Sequence, residues 1–389
     1  MALFATILAG LSLLIWIVLT FFRGAFWQVR AFDGDIAADE PPPAWPRVVA
    51  IVPARNEAKT ISRCLESLVG QDYLGELHII VVDDHSEDRT AALALAAAQS
   101  ADAVNRVKIL QAAPLEPGWT GKVWALQQGL NGAAGLAPEY YWFTDADIVH
   151  ARDTASRLVV RAERRALDLT SLMVLLQAKT VPERLLIPAF LYFFLMLYPP
   201  KWIAEPRAST AGAAGGCILL RRAALQRIGG ISAIRAEVID DCALARAVKQ
   251  SGGAIGMGLT RKSVSLRGYN TFAEIRDLIA RTAFTQLRYS GLLLIGTILG
   301  LLLTYVVPVA LSFHPEPIVW RMSLATWAMM TVSYLPTVRF YGLYPFWAPL
   351  LPLAALFYTY ATCLSALHYW LGRGGQWKGR AQARAKSEV

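Results

Sequence analysis

The chain opens with an uninterrupted apolar segment, LFATILAGLSLLIWIVLTFF at residues 3 to 22, closed by Arg23 and followed by Arg30. Its length suits a helix that crosses a bilayer, and the two arginines place the downstream chain on the cytoplasmic side by the positive-inside rule. MALF brings no positive charge ahead of the apolar core and FFRGAFWQ brings no small-residue cleavage site, so the segment reads as a retained anchor and not a secretory signal. Apolar stretches return at about 291–313, 322–338 and 346–371, with the turn-forming HPEP at 314–317 between the first two. Four spans with an internal domain leave the C-terminus outside, yet GRGGQWKGRAQARAK is strongly basic, so one late segment is re-entrant or interfacial and the count stands at three or four.

Between these apolar ends the period changes. RVVAIVPA (47–54) and LHIIVVDD (77–84) are β-branched runs that end in polar residues, and EAKTISRCLESLVGQ between them has a helical pattern. RVKILQA (106–112) and YYWFTDAD (140–147) repeat the strand pattern after helices RTAALALAAAQ and KVWALQQGLNGAAG. Strands alternating with helices predict an α/β domain with a mixed, mainly parallel sheet flanked by helices, joined to transmembrane α-helices. Ligands of such sheets bind beyond the carboxyl ends of the strands, where PARNE, DDHSED and DAD fall. The expected organisation is an anchor at 1–30, a globular domain at 46–270, an interfacial segment at 271–290, membrane helices at 291–372 and a basic tail at 373–389.

Composition agrees. The 389 residues are 55% hydrophobic with mean hydropathy +0.38, which points to a membrane enzyme or a transporter. The net charge of +9 comes without zinc-ligand spacing or a helix-turn-helix pattern, so nucleic acid is not the expected partner and anionic lipid is. Cys64, Cys217, Cys242 and Cys363 form no CxxC, and the histidines form no HxxxH, which leaves reduced, buried thiols. A transporter would carry ionisable or broken-helix features inside its spans, and 291–313 and 346–371 carry almost none.

The acidic loops indicate a ligand. No GxGxxG follows the first strand, and EPGWTGK (116–122) lacks P-loop spacing, so neither a dinucleotide nor a Walker-type ATP site fits. Phosphate beside several carboxylates is repelled unless a divalent cation intervenes, and Mg2+ or Mn2+ takes one or two carboxylates together with phosphate oxygens and water. Asp145 and Asp147 therefore read as a site for a metal-diphosphate.

The ordered set VPARNEA (52–58), VVDDHSEDRT (81–90), GKVWALQQG (121–129), TDADI (144–148), GGCILLRRAALQRIGGI (215–231) and IDDCALARAVKQSG (239–252) resembles family 2 glycosyltransferases of the GT-A fold over residues 46 to 270. With the N-terminal anchor and the C-terminal apolar cluster ending in WKGR (377–380), the chain looks most similar to hopene-associated glycosyltransferases of bacterial hopanoid gene sets. The resemblance implies that Pro53, Ala54, Arg55 and Glu57 surround the nucleoside, and that Asp84, with Asp83 behind it, contacts the base. It further implies Lys122 near the diphosphate, Asp145 at the ribose and metal, and Asp147 as metal ligand. Asp241 matches the general base, with Asp240 where Glu is usual, and either member of that pair suits the role.

The implied enzyme is an inverting, hexosyltransferase-type glycosyltransferase of the bacterial inner membrane, multi-pass, with a cytoplasmic catalytic domain. It uses Mg2+ or Mn2+, a nucleoside-diphosphate sugar, UDP-linked in the first instance, and a hopanoid or related lipid acceptor. A polyprenyl-phosphate glycosyltransferase and a catalytically silent nucleotide-binding scaffold are the alternatives. Plainer roles compete for the same residues: Asp83, Asp84, Asp88 or Ser86 as caps of RTAALALAAAQ, Asp240 and Asp241 as helix N-terminal charges, Lys122 as a solvated helix start, and Gly215 and Gly216 as a close approach or tight turn. RLLIPAFLYFFLMLYPPKW (184–202) is too short and proline-broken to span, and suits either the headgroup boundary or a buried helix. RTAFTQLRYS (281–290) stands where processive relatives carry QxxRW; its departure from that motif favours transfer of one or a few sugars and leaves Arg281 and Arg288 as candidates for diphosphate contact.

Overall fold

The computed structural model describes residues 2–29, 42–372, 376–377 and 380–381. Arg30 and most of the basic tail lie outside the described residues. The chain divides into two compact units, one drawn from Met1–Val29, Gln177–Lys201 and Gly268–Gly374, the other from Arg30–Leu176, Trp202–Arg267 and Gly375–Val389.

Among the described residues, the main sheet of the second unit has eight strands: β1 Val48–Ala54, β2 Leu77–Asp83, β3 Val107–Gln111, β4 Tyr140–Thr144, β5 Ile148–Val149, β6 Leu169–Leu175, β7 Cys217–Arg221 and β8 Ile255–Ser265. Their order is β3-β2-β1-β4-β7-β6-β8-β5. Every residue of β1 is buried, as a central strand covered on both faces requires. The β3-β2-β1-β4 half is parallel, as the alternating pattern predicts. The other half is mixed, because β7 runs antiparallel to both β4 and β6, β8 lies parallel to β6, and β5 lies antiparallel to β8.

Register decides where the polar loops fall. Ala54 pairs with Asp83 across β1 and β2, and Ile51 pairs with Phe143 across β1 and β4, so the three strands give out at one edge. Because β7 is antiparallel, it begins where β4 ends, with Thr144 opposite Cys217. Gly215 and Gly216 are thereby delivered beside Asp145, although some seventy residues of sequence separate them. The helix Gly121–Gly132 lies so close on β1 that a Cβ at Gly129 would stand 2.4 Å from the Ile51 side chain, which fixes Lys122 over the same edge.

The first unit is helical. It contains Ala2–Phe22, Val181–Leu197, Phe272–Ala280, Pro317–Phe340 and Leu351–Trp370, and Gly291–Leu311 with a π-helical turn at Leu302–Val306. Among the described residues, three helices are long and apolar enough to cross a membrane: Ala2–Phe22, Gly291–Leu311 and Pro345–Trp370. The segment expected at 322–338 is a helix of 24 residues, Pro317–Phe340, with Arg321 and Arg339 near its ends. RLLIPAFLYFFLMLYPPKW forms a 17-residue helix, Val181–Leu197, started by a capping box between Thr180 and Glu183, and then a short helix at Pro200–Ala204.

Candidate active site

Four charged side chains meet at the carboxyl edge of the sheet. Lys122, in the first turn of its helix, places Nζ 2.9 Å from Asp145 and 3.4 Å from Asp240. Asp241, beside Asp240 at the start of the helix Asp240–Gln250, accepts the Gly215 N–H at 2.8 Å on Oδ2 and the Cys242 N–H at 2.7 Å on Oδ1. Pro53, Lys122, Asp145, Gly215, Asp240 and Asp241 line a common cavity of about 10 Å³, walled on its apolar side by Leu126, Phe143, Ile218, Ile231, Ile234 and Leu244. That space is about one water in size, so the charged groups close on one another. Burial alone would lower the Lys122 ammonium, but Asp145 and Asp240 outweigh it and hold it above its ordinary value. The Asp241 carboxyl is pushed up to about 6, first by burial and then by the Asp240 charge.

Gly215 has a specific duty here. A Cβ at this position would stand 3.2 Å from Lys122 Nζ and 3.3 Å from Asp241 Oδ2. Both roles the sequence allows for Gly215 and Gly216 are observed: they are the central residues of a turn closed by the Cys217 N–H on the Ala214 carbonyl at 3.3 Å, and a Cβ on Gly216 would meet Val174 at 3.2 Å. Gly215→Ala is expected to lower turnover by about 10²-fold, the cost of misplacing reacting groups by up to an ångström. The melting temperature should change little; turnover equal to the parent's would remove Gly215 from the site.

Asp147 sits a short distance along the same loop. Its Oδ2 lies 3.4 Å from Arg267 Nε, and Arg267 Nη2 lies 3.0 Å from Glu57 Oε1. The pairing of β5 with β8, Ile148 opposite Ser265, and the Leu266 N–H on the Asp147 carbonyl at 2.7 Å bring Arg267 there. Behind the loop, Thr144 donates to the Gly216 carbonyl at 3.0 Å and stands 2.8 Å from His150 Nε2, while His150 Nδ1 stands 2.9 Å from Ser263 Oγ. Burial pushes the imidazole down to about 3. It is neutral, and with the Thr144 hydroxyl committed to Gly216, the network assigns its one proton to Nε2. His150 thus pins the DAD loop to β7 and β8 and is no metal ligand.

Asp145 and Asp147 suit a divalent cation by their chemistry. Among the described residues no group of three or more His, Cys, Asp or Glu side chains is placed to hold a metal ion by itself, and Mg2+ or Mn2+ shared with a diphosphate needs only one or two carboxylates.

The remaining predicted residues fall at the ends of β1 and β2, where Pro53, Ala54 and Asp83 close the strands, and on the loops that follow, with Arg55, Glu57 and Asp84. Arg55 donates through Nη1 to the backbone carbonyls of Asp84 at 2.6 Å and His85 at 3.1 Å, and the Asp84 N–H donates to the Ala54 carbonyl at 2.8 Å. The two loops are thus one structure. Asp84 is fully buried, and Asp83 Oδ2 accepts the Ser86 N–H at 3.3 Å. Neither caps the following helix, Thr90–Ser100; Asp88 does the local work, accepting the Thr90 N–H at 2.9 Å. Arg267 and His150 escaped sequence reasoning, since SLRG and a lone histidine have no motif to mark them.

Residues 49–229 match the family model for glycosyl transferase family 2. An N-acetylglucosaminyltransferase of Mesorhizobium japonicum is 46% identical over 65 residues, 16% of this chain and 15% of the relative. One from Rhizobium leguminosarum bv. phaseoli is 36% identical over 122 residues, 31% of this chain and 26% of the relative. The chain therefore spans about a quarter or less of the length of these curated relatives. Among solved structures, the mannosyltransferase PcManGT from Pyrobaculum calidifontis, in complex with GDP-Man and Mn2+, aligns over 93% of this chain and 98% of its own, with a TM-score of 0.59 and 20% identity, a likeness of fold. The sheet has the GT-A fold, and residues 49–229 are a glycosyl transferase family 2 region by their match to that family.

Proposed function

We propose that the protein is a membrane-bound, inverting glycosyltransferase that moves a sugar from a nucleoside-diphosphate sugar, UDP-linked, to a lipid acceptor of the hopanoid class, with its catalytic domain on the cytoplasmic side of a bacterial inner membrane. The observation that carries this reading is the convergence of Asp145, Lys122, Asp240 and Asp241 on one cavity at the carboxyl edge of the sheet. The joined loops of Pro53, Ala54, Arg55 and Glu57 and of Asp83 and Asp84 receive the nucleoside. Lys122 exchanges its Asp145 partner for oxygens of the diphosphate and stabilises their charge. Asp145 and Asp147 would hold a divalent cation, which when bound would supply positive charge against the departing diphosphate.

Asp241 is the base of the pair. Asp240 is tied to Lys122 at 3.4 Å, whereas the Asp241 carboxyl, raised to about 6, is basic enough to take a proton and still ionised at neutral pH. As the acceptor hydroxyl oxygen attacks the anomeric carbon, its proton passes to Asp241, and the bond from that carbon to the diphosphate oxygen breaks. A single displacement inverts the anomeric centre and forms no covalent enzyme intermediate. The three long apolar helices and the exposed Leu292, Ile295 and Leu299 support a lipid-side acceptor.

The test is turnover of UDP-, GDP- and dTDP-sugars by detergent-purified protein, with Mn2+ or with chelator, in the presence of total lipid from a hopanoid-producing bacterium. Metal-dependent release of nucleoside diphosphate with a new glycolipid is expected, and a labelled polyprenyl phosphate would replace the hopanoid assignment. No donor consumed under any condition would contradict the proposal.

A further inference from the structure

We infer that Tyr341–Trp370 is a re-entrant hairpin that dips into the bilayer and returns to the face it left, and that this face rests on anionic lipid headgroups. The inference rests on the membrane reading above and uses contacts within the helical unit alone.

The direction of each helix follows from its partners. Ala5 and Ala9 cluster with Leu311, and farther along the first helix Trp16 donates its indole N–H to the Thr304 carbonyl at 2.8 Å. Ala2–Phe22 and Gly291–Leu311 are therefore antiparallel, with Phe22 and Gly291 at one end, termed the near end. Pro317–Phe340 starts at the far end, where Val319 and Met322 join Ala5 and Ala9. Its 24 residues extend about 36 Å, enough to return the chain to the near end at Phe340. The final helix also finishes at the near end: Ala366 clusters with Phe284 and Leu294, and Tyr369 stacks on Tyr289 with ring centroids 4.3 Å apart. Both arms of Tyr341–Trp370 thus belong to one side.

The depth of the hairpin is set by one hydrogen bond. Trp327 donates its indole N–H to the Pro349 carbonyl at 3.1 Å, and Trp327 lies about 20 Å along its helix from Phe340, beyond the middle of a hydrocarbon core about 30 Å thick. Backbone that is not α-helical, as at Pro345–Leu350, survives at that depth only when its polar groups are satisfied by protein. Pro345, Pro349 and Pro352 have no N–H to satisfy, and Trp327 covers one of the carbonyls. At the near end the exposed Arg281 and Arg288 accompany Tyr289, Tyr369 and Trp370, the pairing of basic and amphipathic aromatic side chains that suits an anionic headgroup layer. Arg288 and Tyr289 both hold left-handed φ, 51° and 57°, in the turn that seats Tyr289 on Tyr369.

The experiment is labelling of the full chain by a membrane-impermeant maleimide in right-side-out and inverted membranes. Cys363 is replaced by Ser, the other three cysteines are buried, and Phe313→Cys, Tyr344→Cys and Leu371→Cys are introduced singly at exposed positions. Tyr344→Cys and Leu371→Cys are expected to label from the same face, with Phe313→Cys labelling from the opposite one. Labelling of Tyr344→Cys and Leu371→Cys from opposite faces would make the segment a crossing and overturn the hairpin. Equal labelling of all three in both preparations, with release of the protein by alkaline carbonate, would instead overturn the membrane reading. R281Q/R288Q is expected to lower several-fold the phosphatidylglycerol retained through purification; unchanged retention would remove the headgroup assignment.

Discussion

Asp241→Asn is expected to lower sugar transfer by about 10²–10⁴-fold, the contribution of a positioned general base, while nucleotide affinity stays near the parent value. The substitution keeps the shape of the side chain and removes its ability to accept a proton. It also leaves one of two backbone N–H groups, Gly215 or Cys242, without a carboxylate oxygen to bond, a cost of about 1–3 kcal/mol, so retained nucleotide binding is the control that the site is still built. The pH profile supplies a second readout. Because the Asp241 carboxyl is raised to about 6 and must be ionised to act, kcat/KM in the parent should rise with pH up to about 6 and level off above it. Asp241→Asn should lose that acidic limb. Full activity in the variant would take Asp241 out of the mechanism.

Asp147→Ala is expected to weaken nucleotide-sugar binding in the presence of Mn2+ by about 10²–10³-fold, comparable with the loss of a preorganised electrostatic partner. The difference between Mn2+ and chelator should disappear with it. The fold should tolerate the change, because Arg267, released from Asp147, keeps Glu57 at 3.0 Å and is not left as an unpaired buried cation. Calorimetric titration of the donor with and without Mn2+ reads both quantities. Affinity that is unchanged under both conditions would show that Asp147 is not a ligand and that Arg267 is its permanent partner.

The parallel half of the sheet and the acidic motifs were legible for the same reason. β1, β2 and β4 are buried strands that appear as apolar runs, and each run breaks into polar residues where the strand ends. The antiparallel turn-round at β7 left no such mark, since CILLR has the same apolar character in either direction and only pairing with Tyr140–Thr144 decides between them. Arg267 was invisible for a related reason: it reaches Asp147 only through the two-residue pairing of β5 with β8. His150, one histidine among scattered ones, gains its role from nearby Thr144 and from Ser263, which comes from a distant part of the chain. The apolar segments show the limit of composition most plainly. Hydropathy favours Pro345–Trp370 over Pro317–Phe340 as a span, while the contacts of Ala366 and Pro349 argue the reverse.

The measurement that tests the central claim most directly is the anomeric configuration of the product, read by proton NMR on glycolipid made from an α-linked nucleoside-diphosphate sugar. A single displacement with Asp241 as base predicts a β-linked product. An α-linked product would mean net retention, which a carboxylate acting only on the acceptor hydroxyl cannot give, and would contradict the account.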